Sequence, residues 1–193
     1  MSLFTESKVR ARANREVTNF SKSARIVLAE HIQKQAGEAG HDIFLSHAFD
    51  DRDLLSGTVL LIEDLGYSVF LDWRDDPTLD RKRVTPATAG KLRERMKASR
   101  CLLYAITPAE KDSAWMKWEL GYKDGENGRT AILPIAGSET EIFNEQEFLG
   151  LYPYMSEGLE KSSKKNRLWV NRTPSCYVMF DNWLNGESPA EHP

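Results

Sequence analysis

No apolar run in this sequence approaches the roughly 18 residues that a membrane-spanning helix needs, and the N-terminus is polar and charged, without a secretory-signal pattern. A cytoplasmic protein is expected, with no membrane partner. Only two cysteines are present, Cys101 and Cys176, in no metal-binding or redox spacing, so two reduced thiols are expected rather than a disulfide framework. The four histidines, His31, His41, His47 and His192, have no ligand spacing with cysteine, and no metal is expected. A Gly-x-Gly-x-x-Gly after the first strand is missing, as are a phosphate-loop lysine motif and a Gly-x-Ser-x-Gly elbow. These absences argue against stable dinucleotide binding of the dehydrogenase kind, against an ATPase and against an elbow-type hydrolase.

What is there is a chain of 193 residues, 40% hydrophobic and 28% charged, enough for one good-sized domain with an appendage. Its charge is uneven. Residues 1–36 hold seven Lys/Arg and three Glu, a balance of +4, which leaves −7 for the remainder of a chain whose net charge is −3. The basic part reads as a helix over 4–36, broken at most once, with Val17, Phe20, Ala24, Val27 and His31 recurring at three- and four-residue spacing. Its stripe either packs on the domain or pairs with another copy or an acidic partner. A nucleic-acid role ranks last, because the arm has no aromatic residues interleaved with its cations beyond Phe20.

From His41 the pattern alternates. "DIFLS" (42–46), "YSVFLD" (67–72), "CLLYAIT" (101–107) and "TAILPIA" (130–136) are short apolar runs suited to strands buried on both faces. Helices are expected over 54–65, 87–98 and 110–124. Residues 139–160 carry a weak helical signal, 167–170 a short fifth strand and 175–185 a last helix, with a disordered tail from 186. The organisation expected is thus a basic helical extension (1–40), one domain (41–185) and the tail (186–193). Strands alternating with helices predict an α/β fold: a flavodoxin-like parallel sheet of about five strands, order 2-1-3-4-5, with helices on both faces. Ligands of such sheets bind beyond the carboxyl ends of the strands.

One helix carries an oddity at that edge. In "SAWMKWELGYKDG" (113–125), with Trp115 at zero on a wheel of about 100° per residue, Glu119 falls at roughly 40°, Tyr122 at about 340° and Trp118 at about 300°. Glu119 lies inside the aromatic arc. It is either a carboxylate at the rim of the buried face with its head in water, or a group held for chemistry, because a buried charge is costly unless it is paired or opens onto a cleft.

"DIFLSHAFDDRD" (42–53) resembles the first box of Toll/interleukin-1 receptor (TIR) domains, "YSVFLDW" (67–73) the family's second strand, and "SAWMKWELGY" (113–122) the Ser-x-Trp-x-x-x-Glu-Leu segment of its enzymatically active bacterial members. The three occur in the family's order, and the resemblance is strong over 41–137. It implies cleavage of NAD⁺ at the nicotinamide–ribose bond, with Glu119 as the catalytic residue. It further implies release of ADP-ribose or a cyclic ADP-ribose isomer, antiphage defence signalling, self-association through the domain and an effector protein that senses the product. NAD⁺ would be substrate and no cofactor is implied.

Breaking that bond passes through an oxocarbenium-like state, as in glycoside hydrolysis, but the nicotinamide departs neutral and needs no acid. One carboxylate can then suffice, by stabilising charge on the ribose or holding its hydroxyls. Ser46, His47 and Phe49 after the first strand, Asp72 and Trp73 after the second, and Trp115 beside Glu119 are the expected substrate-binding residues. An indole can stack on the cationic ring. Trp118 and Tyr122 are expected in the core. The loop 73–86, with Arg74, Arg81, Lys82 and Arg83, is either a solvated segment or a phosphate or assembly contact. Two other readings stay open: a non-catalytic TIR-like interaction module, and a nucleoside deoxyribosyltransferase-like enzyme.

Overall fold

Short runs of β-branched, aromatic and aliphatic residues become strands here because helices cover both faces of the sheet they build. A computed structural model describes residues 1–35, 39–48, 50–71, 85–108, 113–138 and 147–192. The parallel strands are β1 (Phe4–Thr5), β2 (His41–Ser46), β3 (Val69–Leu71), β4 (Ser99–Ile106), β5 (Thr130–Ala136) and β6 (Tyr154–Leu159). They are followed by the antiparallel β7 (Asn166–Asn171), β8 (Cys176–Met179) and β9 (Ala190–Glu191). The sheet order is β3-β2-β4-β5-β6-β7-β8-β9, with β1 parallel to β5 through Phe4↔Ile135 and Thr5↔Ala136.

The helices are α1 (Glu6–Phe20), α2 (Ala24–Gln35), α3 (Arg52–Asp64), α4 (Pro86–Lys97), α5 (Ala114–Asn127) and α6 (Phe180–Leu184), with a 3₁₀ turn at Glu147–Leu151. The starts of α1, α3, α4 and α5 are set by side-chain caps. Thr5, Asp51, Thr85 and Ser113 each accept a hydrogen bond from a backbone N–H in the first turn that follows. Two cores result. Leu28, Val59, Ile62 and Phe180 pack on one face of the sheet against Ile43, Leu45 and Leu103. Leu92, Met96, Met116 and Leu120 pack on the other against Phe44, Phe70 and Leu102. Gly57 lets α3 approach α1, where a Cβ would overlap the Val9 carbonyl.

The predicted parallel α/β sheet is present, and its first four strands stand in the expected 2-1-3-4 order. The fifth place differs. It belongs to β6, inside the segment with a weak helical signal, while the expected strand at 167–170 is β7 and runs antiparallel. "YMSEGL" is a poor local strand former. It is held by β7 and by Glu157, which is buried and engaged by Lys8 of α1 and by Asn166 Nδ2 at 2.8 Å. The segment 175–185 splits into β8 and α6. The expected disordered tail differs too: β9 pairs with β8, and the His192 ring stacks on Tyr177 at 4.0 Å.

The N-terminal stripe is also redistributed. Ser21 takes a left-handed conformation (φ 56°) and turns the chain, so the periodicity does not run through. Val27 and His31 are buried, but Val17 and Phe20 are 50% and 63% exposed. Val9 and Ala13 make the buried contacts of α1 instead. α2 covers the edge strand of the sheet. Gln35 Oε1 accepts from Leu71 N at 3.0 Å, and His31 Nε2 lies 2.8 Å from the Val69 carbonyl oxygen. This is how a sheet edge is kept from pairing with another chain.

Candidate active site

The site is built on α5 and on the carboxyl ends of β2 and β4. Ser113 starts α5 and Gly128, at φ 63°, ends it in the left-handed conformation that a glycine adopts without strain. Residues at i, i+3, i+4 and i+7 share a helix face, and here Met116, Glu119, Leu120 and Lys123 are the buried set. Glu119 is 0% exposed. It lies in the middle of the buried face, so the alternative of a rim glutamate reaching water is ruled out.

Strand parity brings Glu119 its partner. Alternate residues of a strand face opposite sides. Phe44 packs toward α4 and α5, so Ser46 points the same way. Ser46 is wholly buried, and its hydroxyl donates to Glu119 Oε2 at 2.5 Å. Across the sheet Ser46 is in register with Tyr104, Tyr104 with Ile132, and Ile132 with Tyr154. A row with three hydroxyl-bearing side chains, Ser46, Tyr104 and Tyr154, joined by the Glu119 carboxylate of α5, therefore interrupts an otherwise apolar layer where β2 ends.

Of the other expected residues, His47 follows directly and is 1% exposed, with Nδ1 3.4 Å from the Leu45 carbonyl oxygen. Trp115 sits one turn before Glu119 and is half-buried, edge-on to Trp118 with centroids 5.3 Å apart. Trp118 stacks on Tyr122 at 5.9 Å, and the Arg93 guanidinium of α4 lies 5.5 Å and 5.9 Å from their ring centres. Trp118 and Tyr122, expected in the core, are thus half-buried: they form a flank of α5 toward α4, beside the buried face rather than on it. Phe49, Asp72 and Trp73 lie outside the described residues, as do Arg74, Arg81, Lys82 and Arg83.

Two residues were missed by sequence reasoning. Tyr104 stands beside Ser46, and its signal was its place near the carboxyl end of the third apolar run. Lys123 is 0% exposed, one turn beyond Glu119. Its ammonium donates to the Met96 and Ser99 carbonyl oxygens at 2.8 Å and 2.7 Å and to Glu126 Oε2 at 2.7 Å. All three of its protons are used, tying α5 to the end of α4. Its signal was the i+4 spacing from a buried glutamate.

The chemistry open to this set is that of an oriented carboxylate. Among the described residues no cluster of His, Cys, Asp and Glu is placed to hold a metal ion. Cys101 lies in the opposite core, where burial pushes its thiol well above the usual range and leaves it a poor nucleophile.

No family model matches the chain. It is 40% identical over 190 residues to the probable 3′ cyclic ADP-D-ribose synthase ThsB′ of Bacillus cereus (strain MSX-D12), covering 95% of this chain and 98% of that protein. The chain belongs to the same family as ThsB′. It is also 28% identical over 102 residues to the putative cyclic ADP-D-ribose synthase TIR2 of Cytobacillus dafuensis, covering 52% of this chain and 27% of that protein. Both relatives are named as cyclic ADP-D-ribose synthases of bacteria, and the name TIR2 points to a TIR-type domain, in line with the resemblance read from residues 41–137. The longer match reaches into the N-terminal helices, which that resemblance did not cover.

Proposed function

We propose that this protein cleaves the nicotinamide–ribose bond of NAD⁺ and closes the remaining ADP-ribose into a cyclic product, with Glu119 as the catalytic carboxylate. The observation that carries the reading is the hydrogen bond from Ser46 to a Glu119 buried at the carboxyl edge of the sheet. A glutamate is rarely kept there for stability alone. The family supplies the reaction class, through a relative named as a cyclic ADP-D-ribose synthase.

In the reaction the bond between the ribose anomeric carbon and the pyridinium nitrogen breaks, and its electron pair neutralises the nicotinamide ring. The carboxylate of Glu119 stabilises the positive charge left on the ribose. A nucleophilic atom of the same ADP-ribose then bonds to the anomeric carbon and releases its proton. The products are nicotinamide, cyclic ADP-ribose and H⁺. A ribose 3′ linkage is the form named for ThsB′, and we carry it over as part of the proposal. Trp115, His47, Phe49, Asp72 and Trp73 are assigned to substrate contact. Because Glu119 is covered, substrate reaches it only when the groups above it move aside. Self-association is the step proposed to bring that about. The diffusible product suits a signal read by a separate effector in the cytoplasm, and antiphage defence is the setting the resemblance implies.

The test is NAD⁺ consumption by purified protein at low and high concentration, with products separated and weighed by mass spectrometry. Nicotinamide and a cyclic ADP-ribose are expected in equal amounts. Glu119→Gln is expected to lower turnover by about 10²–10³-fold, the usual loss when a transition-state charge stabiliser is removed. Undiminished turnover by that variant sinks the assignment.

A further inference from the structure

Ser46 was expected to touch substrate, and the structure gives it a different neighbour. Its hydroxyl is wholly buried and turned onto Glu119 Oε2 at 2.5 Å, from a strand 73 residues away in sequence. A carboxylate oxygen only accepts, so the hydroxyl donates. Donation to the ionised form favours that form and fixes the plane of the carboxyl group. We infer that Ser46 is a positioning residue: it holds the Glu119 carboxyl in one orientation and favours its ionised form against the opposing effect of burial, and makes no contact with substrate itself. This rests on the reading of Glu119 given above.

Ser46 is a direct handle on Glu119, bonded to it side chain to side chain. From β4, Tyr104 stands in register with Ser46 on the same face. On α5 itself, Lys123 is one turn away, but its three protons are committed to Met96, Ser99 and Glu126. From α4, Arg93 lies over Trp118 and Tyr122 on the flank of α5. His47, next to Ser46 in the chain, has Nδ1 3.4 Å from the Leu45 carbonyl oxygen.

The experiment uses the full chain with Ser46→Ala and Ser46→Cys, the second keeping the side chain's size but only a weak donor. The first readout needs no turnover. The ¹³C carboxyl signal of Glu119, assigned by its loss in Glu119→Gln, is titrated in wild type and variants. Removing a donor to the carboxylate favours the protonated form, so the midpoint moves to higher pH in Ser46→Ala, by about one unit, and by less in Ser46→Cys. The second readout is kinetic. In Ser46→Ala kcat falls about tenfold or more while KM stays within about twofold, and the acid limb of the pH–rate profile moves up with the NMR midpoint. Thermal unfolding monitors the fold.

An unmoved midpoint in folded Ser46→Ala overturns the inference. So does a rise in KM with kcat unchanged, which would return Ser46 to substrate binding. If Glu119→Gln keeps full turnover, the assignment of Glu119 fails, whatever Ser46 does. If Glu119→Gln is inactive and Ser46→Ala is normal in both readouts, only the role of Ser46 fails.

Discussion

The two faces of the sheet are built to different rules. Toward α1, α2, α3 and α6 the central strands present hydrocarbon and one thiol: Ile43 and Leu45, Cys101 and Leu103, Leu133 and Ile135. Toward α4 and α5 the layer starts the same way with Phe44, Phe70 and Leu102, then gives way at the strand ends to Ser46, Tyr104 and Glu119. The first face is what hydrophobic burial selects when nothing else is asked of it. The second gives up apolar contact and buries a carboxylate at a position where sheets of this topology bind ligands. Stability and chemistry are thus separated by the thickness of one sheet.

The sharpest way to break that comparison is to cut each face in turn. Leu103, wholly buried between Leu45 and Ala131, belongs to the hydrocarbon face. Leu103→Ala is expected to cost about 2–5 kcal/mol in denaturant unfolding, the range for a core leucine that leaves a cavity, with turnover per folded molecule retained. Glu119→Gln keeps the size of the side chain and removes its carboxyl, and should unfold no earlier than wild type while losing turnover. If Leu103→Ala loses turnover without losing stability, or Glu119→Gln unfolds the chain, the faces do not divide the labour.

The same contrast shows what could be read before the structure. β2, β4 and β5 were legible because a strand covered on both sides is a continuous apolar run, and β5 has the predicted bounds. Glu119 was legible as an anomaly of helical phase. Its depth was not, because the wheel centred on Trp115 took the aromatic flank for the buried face. The centre is set by what the sheet presents, and Met116 and Leu120 fit that surface better than an indole. Ser46 as the donor was out of reach, since pairing across 73 residues needs the register of β2 against α5. β6 was hidden for a similar reason: a buried Glu157 makes no sense as a strand residue until Lys8, from the chain's start, is beside it. Phe49, Asp72 and Trp73 lie outside the described residues, so their placement plays no part in this comparison.

Lys123 sharpens the comparison by standing on the polar face without belonging to the reacting groups. Lys123→Met keeps the length of the side chain and removes three donors. The Met96 and Ser99 carbonyls lose a partner, while Glu126, 29% exposed at its side chain, returns to water. A loss of about 1–3 kcal/mol is expected, the cost of leaving buried acceptors unsatisfied. Because the anchor lies one turn from Glu119, turnover should fall together with stability, unlike in Leu103→Ala. A variant that loses stability alone would place Lys123 with the hydrocarbon face in function, whatever side it occupies.

The smallest effect belongs to the helical cover of the hydrocarbon face, where charge serves stability only. The hydrogen bond with His31 holds the Glu63 carboxyl below the usual carboxylate range, with burial opposing and Lys34 assisting. A carboxyl whose folded value is depressed stabilises the fold above its unfolded value, and that contribution is lost as pH falls through the folded value. Glu63→Gln should therefore be less stable than wild type at pH 7, by less than about 1 kcal/mol for a partly exposed pair. The gap should close as the pH drops below about 4. Turnover at pH 7 should not change. Thermal unfolding of both proteins from pH 7 to pH 3 checks this. A gap that widens in acid would mean that the carboxyl stabilises the fold in its protonated form, and that the contact between α2 and α3 is not an ionic one.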